Sequence, residues 1–157
     1  MGSSCPQGWR IIMATRSAIG FLEHDGSVHA IYCHWDGYLE GVGATLLKHY
    51  NDTYKVLDLL ELGDISSLGE ELGVKHPFSC HMTNLSPQAY EDAYGKMTTA
   101  YGRDRGENYP AKDFPDAKAF RSHYSDCDFF YLYDGKEWSY ARSGMPYFKA
   151  LPMLVDA

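Results

Sequence analysis

The stretch IYCHWDGYLEGVGATLLKHY, residues 31–50, packs a strand end, an aromatic turn, two glycines and a helix into twenty residues. Ala30, Ile31 and Tyr32 continue an alternating run that begins near Ser27. Val28 and Ala30 fall on one face, His29 and Ile31 on the other, which is the period of a strand. Trp35-Asp36-Gly37 reads as a turn, because glycine takes positive φ cheaply and aspartate bonds its own backbone locally. Val42, Leu46, Leu47 and Tyr50 recur at i, i+4, i+5 and i+8, one face of a helix. Gly41 and Gly43 open that helix, and two readings of them stand. Free N–H groups and the helix dipole there favour an anion. Alternatively, the glycines let helix and sheet pack closely. A lone Gly-x-Gly that follows a hairpin rather than a parallel βαβ unit is weak evidence for a phosphate loop.

Outward from this segment, the chain organises itself by turn signals. Residues 16–23 (RSAIGFLE) precede His24-Asp25-Gly26-Ser27, and Asp-Gly between two apolar runs predicts a hairpin pairing 16–23 with 28–34. Residues 53–62 predict a second short helix with Gly63 as its stop. Residues 74–112 are the least regular part, with Pro77, Pro87 and Pro110 and few periodic apolar positions. Within them, 97–101 reads as a short strand and 102–107 as a charged loop. Phe114-Pro115-Asp116-Ala117 is expected to begin a third helix, Pro115 near its first turn, with Ala117, Phe120 and Tyr124 on one face. Residues 126–133 (DCDFFYLY) form a β-prone run, returned by a second Asp-Gly turn to 137–142. The tail, broken by Pro146 and Pro152, is expected to dock along the body. The expected fold is α+β: an antiparallel sheet built from two Asp-Gly hairpins and covered on one face by two or three helices.

The length of 157 residues suits a single domain, expected over 13–157. Residues 1–12 (MGSSCPQGWRII) read as a leader or expression-derived arm. The formal net charge of −7 argues against non-specific binding to nucleic acid or an anionic membrane, which needs a basic face. No apolar run approaches the length of a membrane span and no secretory core precedes the cysteines, so a soluble, intracellular protein with reduced thiols is expected. Tyrosine is abundant, at 13 residues, and suits contact surfaces, where it adds area at low entropic cost.

Cys33-His34, Cys80-His81 and the pair His123 and Cys127 contain enough ligands for a zinc site. Adjacent residues on a strand point to opposite faces, however, and there is no Cys-x-x-Cys. Buried thiols and surface histidines are the preferred explanation, and no metal or other cofactor is called for. Cys33 or Cys80 as a nucleophile would need a base, an orienting group and an oxyanion site, none of which the sequence places. Asp36 and Glu40 either hold a cation or serve the turn and the helix start. Arg103 and Arg105 form the one locally basic segment of residues 102–107. Together with Trp35, Asp36, Tyr38, Gly41 and Gly43 they are the expected ligand-binding residues, forming a pocket for an anionic aromatic molecule such as a nucleotide. The alternative is a solvated turn with Asp104 and Glu107 as local partners.

Residues 14–38 (ATRSAIGFLEHDGSVHAIYCHWDGY), 41–50 (GVGATLLKHY), 62–69 and 98–107 (TTAYGRDRGE) resemble a family of short bacteriophage and prophage proteins. The resemblance runs over most of 13–138 and implies no activity and no catalytic residue. It implies an accessory protein in the cytoplasm of the infected bacterial host. The expected function is non-enzymatic: binding and inhibiting a host protein, or sequestering a small anionic signal. The rivals are a small metal-assisted enzyme acting on nucleotides or nucleic acid, and a minor structural or assembly protein of the particle.

Overall fold

Strand β1 (Ser17–Leu22) lies at the centre of the fold because it pairs on both sides. On one side it runs antiparallel to β2 (Val28–Cys33), from Ser17↔Cys33 to Leu22↔Val28. On the other it runs parallel to β6 (Phe129–Tyr133), from Ser17↔Phe129 to Phe21↔Tyr133. The computed structural model of the chain describes residues 14–151. The arm of residues 1–12, with Cys5, and the tail beyond Leu151 lie outside them.

The remaining strands are β3 (Ile65–Ser67), β4 (Thr99–Ala100), β5 (Lys112–Phe114), β7 (Trp138–Arg142) and β8 (Lys149–Ala150). Their order is β4-β3-β2-β1-β6-β7-β8. The outer edge of β2 is shared: β5 takes Val28 to Ala30, and β3 takes Cys33. The sheet is largely antiparallel, but β1–β6 and β2–β3 are parallel, so it is not purely antiparallel.

Both faces are covered, which corrects the expected one-sided layer. On the first face Ile19, Ile31 and Tyr131, neighbours across three strands, pack against α1 (Ala44–His49) and α2 (Thr53–Glu61) through Leu46, Val56, Leu59 and Leu60. On the second face Ala18, Ala30, Phe130 and Leu132 pack against Phe120 and Tyr124 of α5 (Ala117–His123) and its end. Strand β6 is buried at all five positions, the pattern of a strand covered on both sides. Two apolar faces are what a chain this size needs to bury its core.

The local rules explain most element ends. Asp52 caps α2, accepting from the Lys55 amide, and Gly63 ends it at φ +77°, where an added Cβ would overlap the Tyr109 carbonyl. Three expectations fail at finer scale. Phe114 belongs to β5, and Asp116, not Pro115, begins α5 by accepting from the Ala119 amide at 2.8 Å. The strand expected over 97–101 is only β4, and the chain turns helical at Tyr101. Residues 102–107 are not an open loop. Tyr101 to Arg105 form α4 (Tyr101–Arg105), with Asp104 buried.

Asp104 explains how the irregular segment is held. Its carboxylate accepts from the amides of His76 (3.1 Å) and Ala100 (2.8 Å) and from Nε and Nη2 of Arg103. Arg103 also donates to the carbonyls of Leu72, Gly73 and Thr98. The His76 ring bridges Val74 and Thr99 and stacks on Tyr94 of α3 (Pro87–Tyr94). One buried carboxylate thus ties strands, helices and loop together.

Candidate functional site

The expected pocket residues divide into two groups. Trp35, Asp36, Tyr38 and Gly41 form one corner: the Tyr38 hydroxyl donates to the Asp36 carboxylate at 3.1 Å, and Asp36 sits at φ +58°. The amides of Gly41, Val42 and Gly43 donate to the carbonyls of Tyr38, Asp36 and Tyr38. They are therefore spent on the chain itself rather than presented to an anion. Gly41 is required because a Cβ there would overlap the Asp36 carbonyl. Gly43 faces the Tyr131 hydroxyl, which donates to the Gly37 carbonyl at 2.7 Å. Arg103 and Arg105 lie on α4. Arg103 is committed to Asp104. Arg105 pairs with Glu107 at 2.7 Å and lies over the rings of Phe78 and Tyr101. The corner is joined to β3, whose Ser66 carbonyl accepts from the Trp35 amide.

The candidate metal and nucleophile residues are also separated. Cys33 is buried in the first-face core, and burial pushes its thiol up to about 12, far from the thiolate that nucleophilic chemistry needs. Cys127 is buried in the second-face core and is likewise pushed up to about 12. Cys80 is disulfide-bonded, so the expectation of reduced thiols fails there. His81 is exposed on a short turn, and His123 lies against the rings of Phe114 and Tyr124. Among the described residues no group of three or more His, Cys, Asp or Glu side chains is placed to hold a metal ion. Among them, too, no helix is long and apolar enough to cross a membrane.

A different place gathers ligand chemistry. Helix α5 presents two neighbouring stripes. Ala117, Phe120 and Tyr124 pack toward the sheet. Lys118, Arg121 and Ser122, at i, i+3 and i+4, line an open cleft of about 580 Å³ together with Ser125 in the turn that follows the helix. The opposite wall is the return from β7: Ser143, Gly144, Pro146 and Phe148, with Phe130 at the base. Gly144, at φ +93°, makes the turn that brings this wall back, and the Met145 amide closes it on the Arg142 carbonyl at 2.9 Å.

Arg121 is positioned before any ligand arrives. Its guanidinium carbon lies 5.0 Å from the Phe130 ring centre and 5.6 Å from that of Phe148. Its Nη2 donates to the Arg142 carbonyl at 3.2 Å. Rings over a guanidinium leave its in-plane N–H edge as the open approach, the edge that matches an oxyanion. Among the described residues no carboxylate lies within ion-pair distance of Lys118 or Arg121, although the chain is acidic overall. Two cations, three hydroxyls and no carboxylate thus line one cleft. The sequence signal was present in the second stripe of α5. The apolar spacing that defines the helix does not report it.

A polar cluster lies elsewhere on the same sheet face. The Tyr32 hydroxyl meets His34 Nδ1 at 2.8 Å, and Asp64 accepts from the Tyr32 amide at 3.0 Å. Burial holds Asp64 above the usual carboxylate value. Burial, with Arg16 nearby, lowers His34. At neutral pH the Tyr32–His34 contact is therefore a neutral hydrogen bond. A second hollow, of about 390 Å³, is lined by Glu23, Asp25 and Asp113 with His24 and His29, and offers no site for an anion.

No protein-family model, no curated protein and no solved structure matches the chain.

Proposed function

We propose that the chain is a small binding protein that captures an anionic small molecule in the cleft between α5 and the 143–148 return. The observation that carries this reading is Arg121. It is pre-positioned by two rings and a carbonyl, beside Lys118, with no internal counter-ion among the described residues. A preformed cation costs less ordering entropy on binding than a mobile one. The resemblance of residues 14–38 and 41–50 to bacteriophage and prophage proteins supports an accessory role in an infected bacterium, in which the cleft sequesters a small anionic signal.

The test is isothermal titration with inorganic phosphate at low salt. Binding to the unaltered protein, weakened at least about tenfold in Arg121→Gln, supports the proposal. An Arg105→Gln variant separates the two candidate places. Loss of binding there, with Arg121→Gln unaffected, places the site at Arg105 on α4 and refutes the cleft as the binding site. No binding by the unaltered protein refutes the proposal.

A further inference from the structure

We infer that the cleft selects a phosphate monoester carried on a compact, uncharged body, over a phosphodiester, a carboxylate or a polyphosphate. This rests on the proposal that the cleft binds anions and adds the class of anion.

The reasoning starts from charge. Lys118 and Arg121 stand one helical turn apart on α5, and Ser122 of the same helix and Ser125 of the turn after it line the same cleft. Two cations lining one cleft match a dianion. A monoester carries close to two charges at neutral pH and three acceptor oxygens. A diester or carboxylate carries one charge, and leaves the second cation without a partner. The hydroxyls of Ser122, Ser125 and Ser143 supply donors to further oxygens, which a carboxylate lacks.

The upper limit on charge comes from the rest of the cleft. Beyond the two cations its lining is Ala117, Phe130, Gly144, Pro146 and Phe148, with no further positive group. A second or third phosphate would extend into an apolar wall of a protein with net charge −7. Desolvated, unpaired charge is costly there.

Volume sets the body. About 580 Å³ lies within the usual range for small-molecule sites, about 300–1,000 Å³. Inorganic phosphate would leave most of that space to water. The apolar wall of Pro146 and Phe148 gains only if an apolar body covers it. The occupant is therefore a small molecule with one terminal phosphate and an uncharged remainder in contact with that wall.

The experiment compares four probes by titration calorimetry on the full chain: inorganic phosphate, phenyl phosphate, methyl phenyl phosphate and benzoate. Phenyl phosphate is expected to bind at least about tenfold more tightly than each of the others, the value of roughly one charge-assisted hydrogen bond. Lys118→Gln, at an exposed position, is expected to fold normally by circular dichroism and to bring phenyl phosphate down to the level of the diester. Phosphate binding without preference for phenyl phosphate over diester or benzoate overturns this inference and leaves the anion-binding proposal standing. Binding of none of the four overturns both. A phosphoserine peptide is titrated beside these four, and its binding more tightly than phenyl phosphate overturns the small-molecule assignment.

Discussion

Replacing Asp104 by alanine removes the group on which the irregular segment 74–112 depends. Its side chain is wholly buried and its partner Arg103 is largely so, at 18% exposure. Alanine leaves the amides of His76 and Ala100 without acceptors. Each unsatisfied buried amide costs about 1–3 kcal/mol. It also leaves a guanidinium without its carboxylate, and breaking a buried pair from one side costs about 3–5 kcal/mol. These are overlapping views of one loss, so they are not summed, and the expected cost is about 4 kcal/mol. A domain of this size holds about 5–15 kcal/mol in total. The variant should therefore unfold roughly 8–16 °C lower, at roughly 2–4 °C per kcal/mol. The assay is urea unfolding followed by circular dichroism, with the midpoint read at constant slope. The pair with Arg103→Met adds a control. Both substitutions break the same network, so the double variant should lose clearly less than the sum of the singles. A loss below about 1 kcal/mol for Asp104→Ala, or strict additivity with Arg103→Met, would refute the view that this carboxylate organises the segment.

Gly41→Ala should destabilise by about 2 kcal/mol, since its Cβ would overlap the Asp36 carbonyl, while Gly43→Ala, facing the more yielding Tyr131 hydroxyl, should cost less. Thermal melts of the two check the order, and equal costs would count against close packing as the reason for both glycines. For Asp64 the sign follows from burial. Its folded pKa lies above the ordinary 3.8, so the folded state binds the proton more tightly, and the carboxyl's contribution to stability falls as pH rises from 3.8 through the folded value. Asp64→Asn keeps an acceptor for the Tyr32 amide. It should be more stable than the unaltered protein at pH 7, with the gain vanishing as pH drops below 3.8. A constant difference across that range in denaturant titrations would refute the assignment. Lys118→Gln should change the unfolding free energy by less than about 0.5 kcal/mol in denaturant titrations while weakening phosphate binding, because the side chain is exposed.

What the sequence reveals about this chain depends on the range of the interaction that decides each element. The first-face helices are legible, since Val42, Leu46 and Tyr50, and then Val56, Leu59 and Leu60, are set by spacing within one or two turns and are all buried. The parallel pairing of β1 with β6 is not, because Ser17 meets Phe129 across more than a hundred residues and no turn residue reports such a contact. One signal for it was available. The run FFYLY does not alternate, and a strand apolar at every position is a strand covered on both faces, which requires helices on both sides. Read that way, the run demands a helix on the second face, and α5 is the one that packs there. The site follows by the same logic. Once Ala117, Phe120 and Tyr124 are assigned to the sheet, the stripe Lys118, Arg121, Ser122 and Ser125 must turn outward from the core. The Trp35 corner misled for the opposite reason. A glycine-rich helix start advertises free amides, and whether they stay free depends on carbonyls that the backbone path alone brings near. Here Asp36, held at positive φ, and Tyr38 turn their carbonyls onto those amides, so the feature that looked like a receptor for an anion is the joint that fixes helix to sheet.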